Sequence, residues 1–155
     1  MRRKDRELSD KADLEDIIKQ ADVCRIAFFS EKAPYIVPLN FGYAWNETLK
    51  FYFHCASTGR KLELLKTNNV VGFEIDIKHE LLTGDVACDW GMKYRSVIGN
   101  GKISELADEE DKARGLDLIM KHFGYDGSPS YSKQMLGAVK VLCLEVDEIT
   151  GKAKL

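Results

Sequence analysis

Residues 34–62, PYIVPLNFGYAWNETLKFYFHCASTGRKL, decide the fold of this chain. Two alternating apolar runs flank a short polar break at residues 45–48, and a turn of small and basic residues, Ser57–Lys61, follows the second run directly. A period of two places successive side chains on opposite faces of a β-strand. The segment therefore predicts a β-hairpin that ends in an anion-binding loop, and this loop opens a helix.

Length, composition and charge indicate an ordinary globular protein. The 155 residues are 45% hydrophobic and 31% charged, and the formal net charge is −2. This length can bury one core, so we predict a single domain over residues 1–155. The near-neutral balance does not favour a nucleic-acid-binding protein. No apolar run follows the basic start or reaches the length of a membrane span, so we predict neither a signal peptide nor a membrane anchor.

The four cysteines are Cys24, Cys55, Cys88 and Cys143, and they lie far apart in the sequence. They form no CxxC pair and no cluster with histidine, so the spacing argues against a zinc site. Three of them fall in apolar strand-like runs, which is typical of buried free thiols. We therefore predict a reducing, cytoplasmic location.

The remaining pattern predicts about six strands and three helices. The predicted helices are 10–20, capped by Ser9 or Asp10, then 59–67 and 108–123. The predicted strands are 23–30, 35–43, 49–55, 70–77, 94–106 and 139–146, with residues 78–88 as a loop, 148–155 as a polar tail and 1–8 as an arm. Because the strands do not alternate with crossover helices, we predict a mainly β (α+β) fold, an antiparallel barrel with peripheral helices.

The turn Ser57–Lys61 is the first candidate site. Hydroxyl groups, the amide of Gly59 and the cations Arg60 and Lys61 could converge on a phosphate. The same residues would also suit a capped helix start with two solvated cations. Their spacing alone does not choose between the two, because it is not that of a P-loop.

Two further candidates lie in the strands of the hairpin. Proline at position 38 removes a ladder donor, so Pro38–Asn40 should lie at a sheet edge, where free backbone groups could bind a flat heterocycle. A protected edge strand would explain this proline equally well. His54 lies on the less apolar face of its strand and could contact a cofactor or donate a proton, or it could simply be an exposed histidine.

The strand that begins at residue 94 supplies the last candidates. Tyr94 and Ser96 share one face and could line the same cavity as His54 if the barrel closes in that way. Trp90, just before them, could cover a flat ligand. Ordinary alternation between surface and core would produce the same pattern.

Taken together, these motifs resemble one known family. The runs MRRKDRE at the start, PYIVPLNFGY, FHCASTGRKLELL, YRSVIGNGK and EITGK near the end resemble the nitroimidazole-resistance (Nim) family of the pyridoxamine 5′-phosphate oxidase-like flavoproteins. The resemblance covers nearly the whole chain in order. It implies a split β-barrel of antiparallel strands that works as a homodimer, with flavin, FMN or less often FAD, bound at the dimer interface.

The resemblance also implies roles for particular residues. His54 takes the place of a histidine proposed to lie beside the substrate or the flavin, so it is the candidate catalytic residue. Cys55 stands where a serine is common. The implied cofactor-binding residues are Val37, Pro38, Leu39 and Asn40 at the isoalloxazine ring; His54, Cys55 and Ala56 along the cofactor; Ser57, Gly59, Arg60 and Lys61 at the phosphate; and Tyr94, Ser96 and Val97 on a nearby strand.

The implied function is that of a flavin-dependent oxidoreductase that reduces a small acceptor such as a nitroaromatic (5-nitroimidazole-type) compound. The chain has no GxGxxG fingerprint, so a Rossmann-type nicotinamide domain is not expected. The alternative is a non-catalytic protein that stores or senses flavin, or a related phosphate or haem ligand. A true pyridoxamine 5′-phosphate oxidase is a third reading, which a short chain without a second basic cluster supports less.

Overall fold

A computed structural model describes residues 3–155, so Met1 and Arg2 of the predicted arm lie outside the described residues. Within this range there are eight strands, four α-helices and two single-turn 3-10 helices, at Lys4–Arg6 and Ala87–Asp89. The strands are β1 (Glu7–Leu8), β2 (Cys24–Phe28), β3 (Tyr35–Leu39), β4 (Gly42–Trp45), β5 (Leu49–Ala56), β6 (Val70–Leu82), β7 (Gly91–Glu105) and β8 (Val139–Lys154). The helices are α1 (Lys11–Gln20), α2 (Arg60–Leu65), α3 (Glu109–His122) and α4 (Lys133–Ala138).

One antiparallel sheet carries the fold, in the order β3-β2-β6-β7-β8-β5-β4, with β1 paired to the outer part of β8. The two end strands, β3 and β4, follow each other in the chain and are separated only by Asn40 and Phe41. Three Cα steps span at most about 11 Å, so the sheet must curl until its ends are close. The described strands form no ladder between β3 and β4, and the sheet stays open there. The predicted antiparallel, split-barrel fold is confirmed.

The predicted single strand over residues 35–43 is wrong in one respect, because it consists of two strands at opposite ends of the sheet. Leu39 pairs with Cys24 of β2, whereas Gly42 pairs with Tyr52 of β5. The alternation hides the break because the two linking residues preserve the period of two. Phe41 therefore still points inward, is fully buried and packs edge-on against Phe51, with 5.4 Å between the ring centroids.

Two segments predicted to be irregular are strands. Residues 78–82 continue β6 past a bulge at Lys78, whose φ of 56° marks a left-handed turn, and they pair with the start of β7. Residues 148–154 complete β8 instead of forming a polar tail, because β7 covers one of their edges and β1 part of the other. Polar side chains there alternate with the buried residues Gly151 and Ala153.

The core fills the inside of the curled sheet. Four phenylalanines, Phe28, Phe41, Phe51 and Phe53, are its largest fully buried side chains. Helix α1 contributes Leu14, Ile17 and Ile18 to this core; it begins after Asp10, whose carboxylate accepts from the amide of Ala12 at 2.9 Å. Helix α3 packs outside the sheet on β4, β5 and β8. The capping residue Asp108 that the sequence predicts for α3 is confirmed.

Candidate functional site

A gap between the free edges of β3 and β5 is the main feature of the site. Among the described strands, β3 pairs only with β2, and β4 begins at Gly42, opposite Tyr52 of β5. Residues 53–56 of β5 therefore pair with β8 on one side and with no described strand on the other. Helix α2 starts shortly after β5, and Arg60 at its start contacts Tyr35 at the start of β3. Backbone N–H and C=O groups of both edges are therefore left to bind a ligand.

Strand β5 presents the two faces that its sequence predicts. Phe53 and Cys55 are buried, whereas His54 and Ala56 are exposed. Burial raises the pKa of the Cys55 thiol, and the nearby ammonium of Lys61 opposes this effect only in part. Cys55 is therefore a neutral packing residue at the inner side of the edge, and His54 is the outward ionisable group.

The turn after β5 has open space around its backbone. Gly59 has φ 145° and ψ 162°, a conformation that side chains rarely allow, and an added Cβ would meet nothing within 4 Å. Helix α2 has only six residues, so its dipole would contribute little to anion binding. An anion here would depend on hydroxyl groups, free amides and cations.

The predicted phosphate cluster divides between the two sides of α2. On one side, an open cleft of about 560 Å³ is lined by Ser57, Thr58 and Gly59 together with Lys66 and Lys140. Two carboxylates, of Glu63 and Glu105, line the same cleft, and Glu105 forms an ion pair with Lys140. Charge in this cleft is therefore balanced. Lys140 could not be found from the sequence, because it reaches the cleft only through the pairing of β8 with β5.

Arg60 lies on the other side of α2, away from that cleft. Its Nη2 donates to Ser30 Oγ at 3.2 Å, and its Cζ lies 4.7 Å from the centroid of the Tyr35 ring. An open groove of about 570 Å³ on this side is lined by Arg60 together with Phe29, Ser30 and Lys32, among others. Lys61 is half-buried and lines neither space. Of the cations predicted to bind the phosphate, Arg60 is therefore the one that lies next to β3.

The Val37–Asn40 segment lies along the gap as predicted. Val37 and Leu39 pack against the core, whereas Pro38 and Asn40 are exposed. The side-chain amide of Asn40 donates to the carbonyl of Asp22 at 2.9 Å, which fixes the end of β3. Asn40 therefore has a structural role of its own, and its amide oxygen accepts no hydrogen bond from residues 3–155.

Within one chain, the structure does not bring Tyr94, Ser96 and Val97 to the turn after β5. The residue of β7 nearest to that turn is Glu105, eight positions from Val97, or about 27 Å along a strand. Val97 is fully buried in the core, so its side chain is not available to a ligand. Ser96 lies on the outer face of the sheet. Tyr94 already has a partner in the same chain, because a hydrogen bond from Lys152 lowers the pKa of its hydroxyl group.

Between residues 3 and 155, no group of three or more His, Cys, Asp or Glu side chains could hold a metal ion. In the same range, no helix combines the length and the apolar character needed to cross a membrane.

Comparison with known proteins agrees with this fold. A family model described as pyridoxamine 5′-phosphate oxidase matches residues 10–153. An uncharacterised protein of Rhizobium meliloti (strain 1021) is 22% identical over 152 residues, which cover 92% of this chain and 91% of that protein.

Solved structures are similar over nearly the whole chain. A protein of Bacteroides thetaiotaomicron VPI-5482, described provisionally as a 5-nitroimidazole antibiotic resistance protein, is 35% identical with a TM-score of 0.83, covering 95% of this chain and 86% of that one. An FAD and haem binding protein of Mycobacterium smegmatis has a TM-score of 0.84 at 16% identity, covering 96% and 73%. A flavocytochrome of Azotobacter vinelandii has a TM-score of 0.80 at 20% identity, covering 96% and 69%.

The last two likenesses show the fold alone, because their identities are low. The family model and the Bacteroides relative go further and confirm the resemblance seen in the sequence motifs. On these two findings, the chain belongs to the pyridoxamine 5′-phosphate oxidase family.

Proposed function

We propose that this protein binds a flavin, FMN in the first place, and acts as an oxidoreductase that reduces a small acceptor such as a nitroaromatic compound. The observation that carries the proposal is the gap between the free edges of β3 and β5, which ends at Arg60 and the hydroxyl groups of the Ser57–Gly59 turn. The 35% identical Bacteroides protein supports the choice of acceptor.

The residues at the gap fit the two ends of a flavin mononucleotide. Its ring needs hydrogen bonds to a polar edge and apolar contact on its faces, and the exposed edge of Val37–Leu39 offers backbone groups beside apolar side chains. Its phosphate needs several donors and a cation. Arg60 provides the cation on one side of α2, and Ser57 and the Gly59 amide provide donors on the other side, so the phosphate would lie over the start of α2. Bound flavin would supply the redox chemistry.

His54 is the residue that we propose to act on the acceptor. It is exposed on the outward face of β5, one position before the edge residue Cys55. Histidine can hold or release a proton near neutral pH, so it could donate one to an acceptor as that acceptor is reduced. The buried Cys55 thiol, whose pKa is raised, would remain neutral beside it.

A homodimer is part of the proposal, because one chain leaves Ser96 far from the turn after β5. The outer face of the sheet exposes two isoleucines, Ile36 (61% exposed) and Ile98 (53% exposed), on the same face as Ser96. A second copy on this face would cover both isoleucines and bring its own β7, with Ser96, towards the gap.

Light scattering tests the proposed dimer. The native protein should be a dimer and Ile98→Lys a monomer, and a native monomer would contradict this part of the proposal.

Flavin binding is tested first on the purified protein and its apo form. We expect a visible flavin absorbance band, release of FMN on heating, and quenching of FMN fluorescence when apo protein is added. Arg60→Ala should weaken FMN binding about ten- to a hundredfold, since a charged hydrogen bond is lost. Lys61→Ala should weaken it less, because that side chain is half-buried and does not line the groove.

Lys66→Ala is the matched control, since it removes a cation of the same helical region from the opposite cleft. Equal loss with Arg60→Ala and Lys66→Ala would place the phosphate elsewhere. A protein that binds neither FMN nor FAD would overturn the function.

Turnover separates an enzyme from a flavin store. His54→Ala should lower the rate of acceptor reduction with its flavin content unchanged. If the native protein reduces only one equivalent of acceptor per flavin under excess chemical reductant, storage or sensing is the better description. If His54→Ala changes neither rate nor flavin content, the role given to His54 is wrong.

A further inference from the structure

The side chain of Arg60 is held from two directions by one hairpin. Its Nη2 donates to Ser30 Oγ at 3.2 Å, and its Cζ lies over the Tyr35 ring at 4.7 Å from the centroid. Ser30 follows β2, and Tyr35 begins β3, so both contacts come from the β2–β3 hairpin. They connect this hairpin to the first residue of α2, a helix that is distant in the sequence.

The tyrosine ring is a fixed support for the guanidinium. Tyr35 packs against the core, and its ring centroid lies 6.4 Å from that of Phe28, which is 1% exposed. This packing limits the motion of the Tyr35 ring. A mobile arginine would lose side-chain entropy on binding a ligand, whereas one already held over a packed ring has lost part of it.

The contacts leave much of the guanidinium available. Within residues 3–155, Arg60 forms no ion pair, although Glu31 and Glu63 line the same groove. The bond to Ser30 uses one of the five N–H donors of the guanidinium. The other donors can still make a paired contact with a phosphate.

We propose that Tyr35 is a positioning residue that presents Arg60 to the phosphate of the flavin, and this inference rests on the proposed function. Tyr35 acts through Arg60 and makes no contact of its own with the phosphate. Tyr35, the first residue of β3, would therefore help to set the position of the phosphate, while later residues of β3 border the isoalloxazine ring.

The test is a double-mutant cycle on apo protein, read by quenching of flavin fluorescence with two probes, FMN and riboflavin. Tyr35→Leu should weaken FMN binding about three- to tenfold, which is the range of a partly desolvated cation–π contact. Riboflavin lacks the phosphate, so its affinity should stay the same. Tyr35→Phe keeps the ring and should bind FMN within about twofold of the native protein. In the Arg60→Ala background, Tyr35→Leu should have no further effect.

Several outcomes would overturn the inference. Equal loss of FMN and riboflavin affinity in Tyr35→Leu would show a general effect on the site, and a loss that persists with Arg60→Ala would show that Tyr35 does not act through Arg60. Tighter FMN binding by Tyr35→Leu would mean that the ring withholds Arg60. In each of these cases the native protein still binds flavin, so the proposed function stands; if it binds no flavin, both fall.

A second variant covers a Tyr35→Leu protein that does not fold. Ser30→Ala removes the other contact from a half-buried position. It should weaken FMN binding about two- to fivefold and leave riboflavin affinity unchanged, as expected for one lost hydrogen bond to a charged group that water can partly replace. Thermal unfolding curves of each variant show whether the fold is intact, and an unchanged FMN affinity in folded Ser30→Ala and Tyr35→Leu would contradict the proposal.

Discussion

Gly42 should tolerate no side chain, because the backbone of α3 lies directly on it. A Cβ built at Gly42 would lie 2.3 Å from the carbonyl carbon of Leu118 and 2.4 Å from the amide nitrogen of Ile119. Carbon atoms in ordinary contact are about 3.5 Å apart, so α3 would have to move by roughly 1 Å. Helix α3 packs on β4, β5 and β8 together, so such a shift would disturb all of these contacts.

We therefore expect Gly42→Ala to lower the free energy of unfolding by about 1–3 kcal/mol, as overpacking of a close interface does. For a chain of this size, that loss corresponds to a melting temperature lower by roughly 3–10 °C. The assay is urea unfolding followed by circular dichroism at one protein concentration, with the slope of the transition expected to stay the same.

Gly137→Ala is the matched control for this prediction. It makes the same chemical change inside α4, where the added Cβ would meet nothing within 4 Å. Alanine is a better helix former than glycine, so this variant should be unchanged or more stable by up to about 1 kcal/mol. If Gly42→Ala unfolds at the same urea concentration as the native protein, the close packing of α3 on β4 is refuted.

Three further predictions concern stability and reactivity. Nε2 of His122 lies 2.6 Å from a backbone carbonyl oxygen, and the ring packs among aromatic rings. His122→Ala should therefore lower the free energy of unfolding by about 1–3 kcal/mol, measured by urea unfolding. Cys88 is exposed, whereas burial raises the pKa of the Cys24 thiol, so a thiol reagent should label Cys88 quickly and Cys24 only after denaturation; early labelling of Cys24 would contradict the burial. The hydrogen bond from Arg95 lowers the pKa of Asp16. The native protein should therefore be more stable than Asp16→Asn above about pH 4, and this advantage should be lost as the pH falls through the folded-state pKa. An advantage that is the same at pH 7 and pH 2.5 would refute the prediction.

The sequence predicted local features where a short-range pattern determines the structure. Alternation of side chains predicts the two faces of β5. Capping side chains within a few residues predict the starts of α1 and α3, and a run of small and basic residues predicts the turn between β5 and α2. These features depend on interactions that are close in the chain, so one sequence shows them. The resemblance in motifs added the family and its fold.

The sequence could not show where β3 ends, because alternation continues unbroken across Asn40 and Phe41. It also could not show that residues 148–154 form a strand, since their polar side chains are explained only by pairing with β7 and β1. In both cases the deciding interactions join residues that are far apart in the chain. Ladder hydrogen bonds join backbone groups that every residue carries, so pairing between distant strands leaves no signature in the local sequence.

The candidate site divides in the same way. The sequence by itself determined that a turn with hydroxyl groups, a glycine and two cations follows β5, because these residues are contiguous. Only the tertiary structure decided that Arg60 points towards Tyr35 and Ser30, that Lys140 lines the opposite cleft, and that Ser96 is remote within one chain. The direction of a side chain depends on which strands the sheet brings beside it, and the curl of the sheet sets those neighbours.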